Sequence, residues 1–343
     1  MFSLFKNKHN AIGINIADHT IEIAELRKKN SNTEIIKLER IRLEAGIIEN
    51  GKIKNKKKLT ELIKIFFENI KLEYKKDKEI ILNLPDSQIY TLIIDLKKCS
   101  KKEKEKLILE QIKKNIPLEQ DDILYSYQVL LNNKKEKKES ILLVAASKKI
   151  VLEWLSFFKE IDIKIKIFDI EILAIFRSLV SDVSKSVICL VDVGDIVTNI
   201  SIFNKGILNY SYPIFQAGNM FTEEIAKEFN VSWEKAEEGK KKIDLTKNNK
   251  LSSFILKLFK QLLKELDRTI KYWENKNNIK IDNIVLVGGS AKFNGLENYF
   301  SNILKINTIL GNKKENLIYS AAIGSAMRGI DNKWKKDLTI NLK

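Results

Sequence analysis

The sequence predicts an α/β protein with two or more compact units, and three observations carry this prediction. Stretches with strand-like alternation are interleaved with stretches of helical spacing along the chain, which is typical of an α/β layer. The 343 residues exceed a typical single domain, and 44% of them are hydrophobic, as folded cores require. Three apolar strands run into glycine-bearing turns, where backbone can approach a ligand closely.

Composition and charge limit the classes of function. The net charge of +16 would attract nucleic acid or anionic lipid. The lysines, however, form short runs without interleaved aromatic residues, so we expect solvated loops and no nucleic-acid partner. No apolar run reaches the ~18 residues of a membrane-spanning helix, and the N-terminus lacks a signal-peptide core, which indicates a cytoplasmic protein. Two distant cysteines and two histidines predict neither a structural disulfide nor a histidine-based metal site.

The N-terminal part reads as strands, a helix and a further strand. Phe2, Leu4 and Phe5 precede lysines, and this tip would either touch a membrane or partner or tuck onto the core. Pro85 ends the last strand of this part. The strands are predicted at residues 11–15, 20–26, 33–43 and 79–84, and the helix at residues 59–72.

From residue 89 the pattern becomes that of a smaller inserted unit. Its strands are predicted at residues 89–96, 126–131, 141–146 and 163–168, and its helices at residues 101–115 and 151–160. This order is a compact βαββαβ insertion of the size of a small domain. A helix at residues 170–180 then leads into the second half of the chain.

A hairpin at residues 186–203 is the first candidate ligand site. Its apolar strand ends in Asp192, and Gly194 permits a tight turn whose N–H groups can point at an anion. Asp192 would hold Mg²⁺ through water, and the Thr198 hydroxyl would donate to a phosphate oxygen. A plain structural turn explains the same residues.

Two later glycine positions extend this candidate site. Gly218 precedes a helix at residues 221–229 whose first N–H groups could also meet a phosphate. A buried strand at residues 283–289 ends in Gly288 and Gly289, which let the backbone approach a sugar and base. The other predicted elements are a strand pair at 207–215 and helices at 231–241, 251–276, from about 296, and at 316–329.

These glycine motifs, in this order, resemble the phosphate-1, phosphate-2 and adenosine motifs of the actin-like ATPase superfamily. More closely, the chain is similar to the type IV pilus assembly family PilM over nearly its whole length. The insertion after residue 85 lies where this branch, shared with the division protein FtsA, carries a small subdomain. The similar segments are GINIADHTIEIAEL, LNLPDSQIY, LEQIKKNIPLEQDDILYSYQVL, LVDVGDIVTNISIF, QAGNMFTEEIAKEFNVSWEKAEEGK, IVLVGGSAKFNGL and AAIGSAMRG.

The resemblance implies an α/β, actin-like two-lobed ATPase fold with an inserted small βαββαβ subdomain. The first lobe would comprise residues 1–85, completed by about 171–185 and 317–343. The inserted subdomain would comprise residues 86–170. The second lobe would comprise residues 186–316, with a subdomain of its own at about 219–280.

The resemblance also implies ATP or ADP with Mg²⁺ in a cleft between the lobes. Asp192 would be the residue that holds the metal through water. The residues expected at the nucleotide are Gly13, Asn15 and Asp18 in the first phosphate motif, Asp192, Gly194, Asp195, Thr198 and Asn199 in the second, Gly218 in the connecting segment, and Gly288, Gly289, Ser290 and Gly295 in the adenosine motif.

The first phosphate motif departs from the family pattern. Asn15 stands where the family has an acid, and Ala17 stands where it has a glycine. Asp18 and Asp195 place carboxylates where small polar residues are expected, and like charges near phosphates weaken binding unless a cation intervenes. We therefore expect nucleotide binding with slow or absent hydrolysis, and whether the protein is an enzyme stays open.

The function implied is that of a cytoplasmic, ATP-binding adaptor at the inner face of the cytoplasmic membrane. Its partner would be a PilN-like inner-membrane protein, whose N-terminal peptide would lie in a groove beside the inserted subdomain; pilus motor or platform proteins and self-association are further expectations. The residues expected at the peptide are Leu84, Ile89, Tyr90 and Ile112, although Ile89 and Ile112 would equally serve the insertion's own core.

Three alternatives remain beside the adaptor. A small-molecule kinase of the same superfamily would need a carboxylate base near the connecting segment, where the first acid is Glu223. An FtsA-like division or filament protein would bring a longer amphipathic tail than the one after Gly329. A type II secretion relative would continue into a transmembrane span.

Overall fold

The structure is a computed structural model that describes residues 10–29, 32–70, 78–133, 138–179, 186–331, 334 and 338. The chain divides into two compact units, which are residues 1–178 with 321–343, and residues 179–320. The apolar tip formed by Phe2, Leu4 and Phe5 lies outside the described residues. In the described part of the chain, no helix combines the length and apolar character needed to cross a membrane.

The strands and helices are as follows. The strands are β1 (Asn10–Ala17), β2 (Thr20–Lys29), β3 (Asn32–Arg42), β4 (Ile48–Glu49), β5 (Lys52–Ile53), β6 (Glu79–Asn83), β7 (Ile89–Lys97), β8 (Ile123–Asn133), β9 (Lys138–Ser147), β10 (Ile165–Asp169), β11 (Val187–Val193), β12 (Thr198–Asn204), β13 (Ile207–Ile214), β14 (Asn283–Val287) and β15 (Asn307–Leu310). The helices are α1 (Lys56–Asn69), α2 (Lys101–Asn115), α3 (Lys148–Glu160), α4 (Glu171–Ser178), α5 (Gly218–Phe229), α6 (Trp233–Lys241), α7 (Lys250–Asn277), α8 (Leu296–Leu304) and α9 (Ser320–Ile330).

The first unit is built on a five-stranded mixed sheet in the order β10-β6-β1-β2-β3. β1 pairs antiparallel with β2 and parallel with β6. Every residue from Ala11 to Ile16 is buried, as expected for a strand in the middle of a sheet that is covered on both faces. The predicted succession of strands, helix and strand is confirmed here.

The last strand of the predicted insertion belongs to this first sheet. β10 pairs in parallel with β6, with Phe168 opposite Leu82, and both side chains are buried. A parallel neighbour needs a long crossover connection, which the intervening β7 to α3 segment supplies. The six elements of the βαββαβ pattern thus occur in the predicted order, but a separate layer is formed by β7, β8, β9 and α2. The finer boundary at residues 86–170 stays a prediction.

That separate layer is a three-stranded antiparallel sheet in the order β7-β9-β8. α2 begins at Ser100, whose hydroxyl accepts a hydrogen bond from the Glu103 N–H. Its apolar side packs Ile108 and Ile112 into a cluster with Ile141 and Leu143 of β9. Beside this core, Lys104 of α2 forms an ion pair with the buried Glu139 of β9, so both apolar packing and a charge pair join the helix to the sheet.

α9 reaches the sheet and α4 through glycines and a buried ion pair. A Cβ on Gly13 would overlap the carbonyl oxygen of Ala322, and a Cβ on Gly324 would overlap that of Ala174. Beside these contacts, the buried Asp169 carboxylate pairs with Arg177 of α4 and Arg328 of α9. Backbone approach and a shared carboxylate therefore fix α9 in the first unit.

The second unit has its own five-stranded sheet, in the order β13-β12-β11-β14-β15. β11 runs antiparallel to β12 and parallel to β14. Residues 207–215, predicted as a strand pair, form the single edge strand β13. Rings of Phe221, Phe293 and Phe300 contact Phe259 of α7, which packs the helices into one aromatic core.

Candidate functional site

The turn between β11 and β12 has the shape that the sequence predicts. β11 is buried from Val187 to Val191, and the turn after it is closed by a hydrogen bond of 3.2 Å from the Gly194 N–H to the Val197 carbonyl. A Cβ on Gly194 would lie 2.8 Å from that carbonyl oxygen, so the tight closure needs glycine. Asp192 is half-buried and Asp195 is exposed.

The start of α5 is attached directly to this turn. The Gly218 N–H donates to the Gly194 carbonyl at 2.9 Å, and the Asn219 N–H donates to the Asp195 carbonyl at 2.8 Å. These are the first two N–H groups of the helix, which a helix leaves without internal partners. They serve the turn, and the expectation that they would be free for a phosphate is wrong for these two groups.

Thr198 also has a structural partner. Its side chain is fully buried, and its hydroxyl donates a hydrogen bond of 2.6 Å to the Gln216 carbonyl. A hydroxyl has one proton to donate. Thr198 therefore ties β12 to the segment that leads into α5, and the expected donation to a phosphate oxygen is not what the structure shows. Asn199 lies opposite Asp192 in the β11 and β12 register.

The glycine pair after β14 meets the same turn because β14 lies beside β11 and runs in the same direction. Gly288 has φ of +89°, and a Cβ on it would overlap Asp192 Oδ1 and lie 2.6 Å from the Val193 carbonyl oxygen. Gly218 also lies close to both segments, since a Cβ on it would be 3.2 Å from the Gly194 carbonyl oxygen and from Ser290 Oγ. The structure thus brings together the second phosphate motif, the connecting glycine and the adenosine glycines.

Gly289 and Gly295 differ from these tightly enclosed glycines. Gly289 is helical, with φ of −64°, and the nearest atom to its Cβ position is Asp195 Oδ1 at 4.0 Å. Gly295, which has φ of +85°, precedes α8, and a Cβ on it would lie 2.8 Å from Thr246 Cγ2. Gly295 is therefore required by packing against the loop before α7, whereas Gly289 leaves room beside the turn.

We call the place where Gly194, Gly218, Gly288 and Gly289 meet the glycine corner. Its negative charge suits a cation that is shared with phosphates. Asp192 and Asp195 both border the Gly288 and Gly289 backbone. Mg²⁺ is commonly held by one or two carboxylates, with water and substrate phosphates completing its shell. In the described part of the chain, no group of three or more histidine, cysteine or carboxylate side chains could hold a metal alone. Two carboxylates, with water and phosphate oxygens as the remaining ligands, fit the coordination chemistry of Mg²⁺.

A buried lysine beneath α5 was not predicted. Lys240 of α6 is 6% exposed, and its Nζ donates to the Gly218 carbonyl at 2.8 Å and to Thr222 Oγ1 at 2.6 Å. It pairs with Glu237 at 2.6 Å. Burial alone would raise the pKa of the Glu237 carboxyl, but hydrogen bonds from Lys240 and Thr222 and the charge of Lys240 outweigh it and lower the pKa to about 2.

This network holds Gly218, the glycine whose N–H donates to the turn between β11 and β12. Glu237 and Lys240 are three residues apart in a helix, which is the spacing of an ion pair on one face. The sequence contains that signal in AEEGKK, but it is common on exposed helices, and only the position of Thr222 on α5 makes it a buried network.

The predicted first phosphate motif has structural roles in the first unit. Gly13 allows α9 to pack on β1, as its overlap with Ala322 shows. Asp18 accepts hydrogen bonds from the backbone N–H groups of Asn50 at 2.6 Å and Gly51 at 2.8 Å. Both turn residues have positive φ, so Asp18 stabilises a tight turn between β4 and β5. The placement of Gly13 and Asp18 at a nucleotide is not supported by these contacts.

Asn15 lies between two carboxylates. Its Nδ2 donates to Glu171 Oε1 at 3.0 Å and to Glu22 Oε2 at 3.3 Å, while its Oδ1 is buried without a hydrogen-bond partner. Burial raises the pKa of the Glu22 carboxyl, despite the lowering effect of the Arg40 charge and of hydrogen bonds from Thr20, Arg40 and Asn15. The amide at this position therefore donates hydrogen bonds to both carboxylates without adding a negative charge.

The sequence matches the model of a known protein family. The family model described as "Type IV pilus assembly protein PilM" matches residues 13–329. The chain belongs to the PilM family. The match spans both units and the inserted layer, and so confirms the resemblance inferred from the motifs.

Solved structures show the same fold. A PilM-PilN type IV pilus biogenesis complex aligns with a TM-score of 0.79 at 18% identity, covering 94% of this chain and 98% of that one. The ethanolamine utilization protein EutJ from Carboxydothermus hydrogenoformans gives a TM-score of 0.60 at 11% identity, covering 93% and 89%. MreB5 of Spiroplasma citri bound to ADP gives 0.54 at 15% identity, covering 94% and 99%. The actin-like fold is thereby confirmed.

Within this PilM-family chain, the four residues expected at a partner peptide differ in accessibility. Leu84 is fully buried, and Ile112 is 2% exposed inside the core of the β7-β9-β8 layer. Burial of these two side chains does not support their direct contact with a partner. Ile89 and Tyr90, at the start of β7, are half-buried and remain accessible.

Neighbouring glycines give a matched test of the glycine corner. Gly288→Ala should destabilise the second unit by about 2 kcal/mol or more, because alanine disfavours positive φ and its methyl group overlaps Asp192. Gly289→Ala should be neutral or stabilising by up to about 1 kcal/mol, because that residue is already helical and unobstructed. Urea unfolding followed by circular dichroism measures both. Equal effects of the two variants would contradict the assigned geometry.

Asn15→Asp should destabilise the first unit in a pH-dependent way. A third carboxylate beside Glu22 and Glu171 removes two donated hydrogen bonds and acquires a raised pKa, so it is neutral at low pH and penalised once ionised. We expect a loss of about 1–3 kcal/mol near pH 7 and a smaller loss near pH 4. Urea unfolding at both pH values tests this, with exposed Asn32→Asp as control. A loss that is the same at both pH values would exclude the electrostatic cause.

Proposed function

We propose that this PilM-family chain is an ATP-binding adaptor of the type IV pilus assembly machinery. The observation that carries the nucleotide part is the convergence of Gly194, Gly218, Gly288 and Gly289 at the carboxyl ends of β11 and β14. Ligands of α/β sheets commonly lie at this end of the strands. MreB5, a neighbour of the same fold, has ADP in its structure, which supports a nucleotide as the ligand here.

The residues of the glycine corner would have different roles in nucleotide binding. The Gly194 turn and the Gly288–Gly289 backbone would lie against the phosphates and the nucleoside, and the open side of Gly289 leaves room for such an approach. Asp192 would hold Mg²⁺ through water. Bound ATP supplies the phosphate charge that Mg²⁺ and these backbone groups neutralise. Lys240 and Glu237 would keep Gly218 in place, because Lys240 holds its carbonyl.

Hydrolysis is proposed to be slow or absent. At the position where the family has an acid, Asn15 donates to Glu22 and Glu171 through its amide. An amide cannot act as a general base. The protein would then use nucleotide as a bound ligand rather than as fuel, and no observation favours the small-molecule kinase or the division-filament alternative.

The proposed partner is a PilN-like inner-membrane protein, which would bring the chain to the inner face of the cytoplasmic membrane. Support comes from the neighbour that is a PilM-PilN complex and aligns over 94% of this chain. A short cytoplasmic peptide of that partner would contact Ile89 and Tyr90, which are accessible at the start of β7. Short peptides gain affinity from a few anchors in a preformed surface, so micromolar affinity is expected.

Calorimetry with ATP tests the nucleotide proposal. The wild-type protein should bind ATP in a Mg²⁺-dependent manner, and Asp192→Ala should weaken binding at least about tenfold through loss of the metal contact. Gly289→Ala should also weaken binding while leaving the fold intact, since its methyl group would occupy the open side of the corner. Exposed Asp121→Ala is the charge-matched control. Absence of binding heat for the wild type with both ATP and ADP would refute the proposal.

A peptide titration tests the partner proposal. Fluorescence anisotropy of a labelled N-terminal peptide from a PilN-like protein should report binding, and Tyr90→Ala should lower its affinity about tenfold through loss of an aromatic anchor. Ile65→Ala, at a 54% exposed residue of α1, is the control and should bind normally. If Tyr90→Ala folds and binds as tightly as the wild type, the start of β7 is not the docking site.

A further inference from the structure

The long helix α7 has two faces of different chemistry. Over its 28 residues, one side is buried against the second unit through Phe259, Leu262, Leu266 and Trp273. The opposite side is exposed and carries cations at Lys257, Lys260, Lys264, Arg268 and Lys271. At ~1.5 Å per residue these five positions extend over about 20 Å along the helix axis. We call this set of five residues the α7 basic face.

The helical period places these cations on one side of α7. Successive residues turn by about 100°, so Lys257, Lys264 and Arg268 fall within about 40° of one another, with Lys260 and Lys271 beside them. The acids of this segment, Glu265 and Asp267, lie on the two flanks and pair with Arg268 and Lys271. In the described part of the chain, Lys257, Lys260 and Lys264 make no ion pair.

An aromatic group stands at one end of the basic face. Tyr272 is 57% exposed and follows Lys271, and its ring centroid is 6.2 Å from that of Tyr210 on the edge strand β13. Tyr212, two residues along the same strand, is 47% exposed. Burial, and then the charges of Tyr272 and Tyr212, raise the pKa of Tyr210. Tyrosine is a residue favoured at the interface between membrane and water.

From this arrangement we propose that the α7 basic face docks on an anionic membrane surface. A straight row of cations on a convex helix matches a flat layer of lipid phosphates, and each basic residue near such a surface contributes attraction. A nucleic acid would instead favour a groove that follows its backbone, with bases stacked on interleaved aromatic residues. Here the aromatic residues stand at one end of the row rather than between its cations. This inference goes beyond the adaptor function and does not depend on nucleotide binding.

Vesicle co-sedimentation at low salt tests the proposal. The full chain should sediment with vesicles of phosphatidylglycerol and phosphatidylcholine, and should stay in solution with phosphatidylcholine alone. Lys257→Gln, Lys260→Gln and Lys264→Gln together should lower partitioning about 100-fold, which corresponds to about fivefold per lysine. The triple Lys→Arg variant at these positions should bind as the wild type does. Raising the salt should weaken binding, since exposed charges are screened.

A second triple variant separates the α7 basic face from the overall positive charge. Lys148, Lys149 and Lys159 are exposed residues of α3, and their change to Gln removes the same charge from the first unit. This control should retain vesicle binding within about twofold. An equal loss in both triple variants would overturn the proposal, because binding would then follow net charge alone. It would also be overturned if the wild type binds duplex DNA but not anionic vesicles, or binds neither.

Discussion

Two backbone hydrogen bonds govern the candidate site of the second unit, those from the Gly218 and Asn219 N–H groups to the Gly194 and Asp195 carbonyls. They bring the start of a helix into contact with a tight turn, so a Cβ on Gly218 would lie only 3.2 Å from the Gly194 carbonyl oxygen. They also direct the positive end of the α5 dipole at a turn that is flanked by two aspartates. Lys240 Nζ donates a hydrogen bond to the Gly218 carbonyl, which lies in the first turn of α5. The position of the turn is therefore determined by β11, by α5 and by α6 together.

A glycine in a motif can be required for two different physical reasons, and the surroundings of its Cβ position distinguish them. At Gly13 and Gly324 the obstruction is the backbone of another element of the first unit, so these glycines permit close packing. At Gly289 the nearest atom to the Cβ position is Asp195 Oδ1 at 4.0 Å, so packing against other residues does not explain the glycine. The same residue type thus marks a close structural contact in one unit and an open stretch of backbone in the other.

The features that depend on local pattern could be predicted, and those that depend on distant partners could not. The β11 and β12 hairpin and the strand that ends in Gly288 follow from apolar runs bounded by glycine, and both are present. The pairing of β10 with β6 could not be read from its sequence, because a buried strand has the same pattern in either sheet.

Thr198 and Asp18 are predicted to lie at a phosphate because hydroxyls and carboxylates suit phosphate and metal binding. The same groups also satisfy backbone partners, which here are Gln216, Asn50 and Gly51. Ile112 illustrates the third difficulty, since periodicity shows that a residue is apolar but not whether it faces a core or a partner.

The departure at Asn15 is best understood together with its neighbours. Read alone, an amide in place of an acid is a lost carboxylate. In the structure, Glu22 and Glu171 already surround that position, and Arg40 neutralises the charge of Glu22. A third acid there would place three carboxylates around one point, and burial would force at least one of them to keep its proton. Asn15 avoids this because its Nδ2 donates to both acids without adding charge. The residue at this position is thus constrained by the electrostatics of the first unit as well as by any requirement of catalysis, and its identity does not by itself show that a carboxylate is absent from the region.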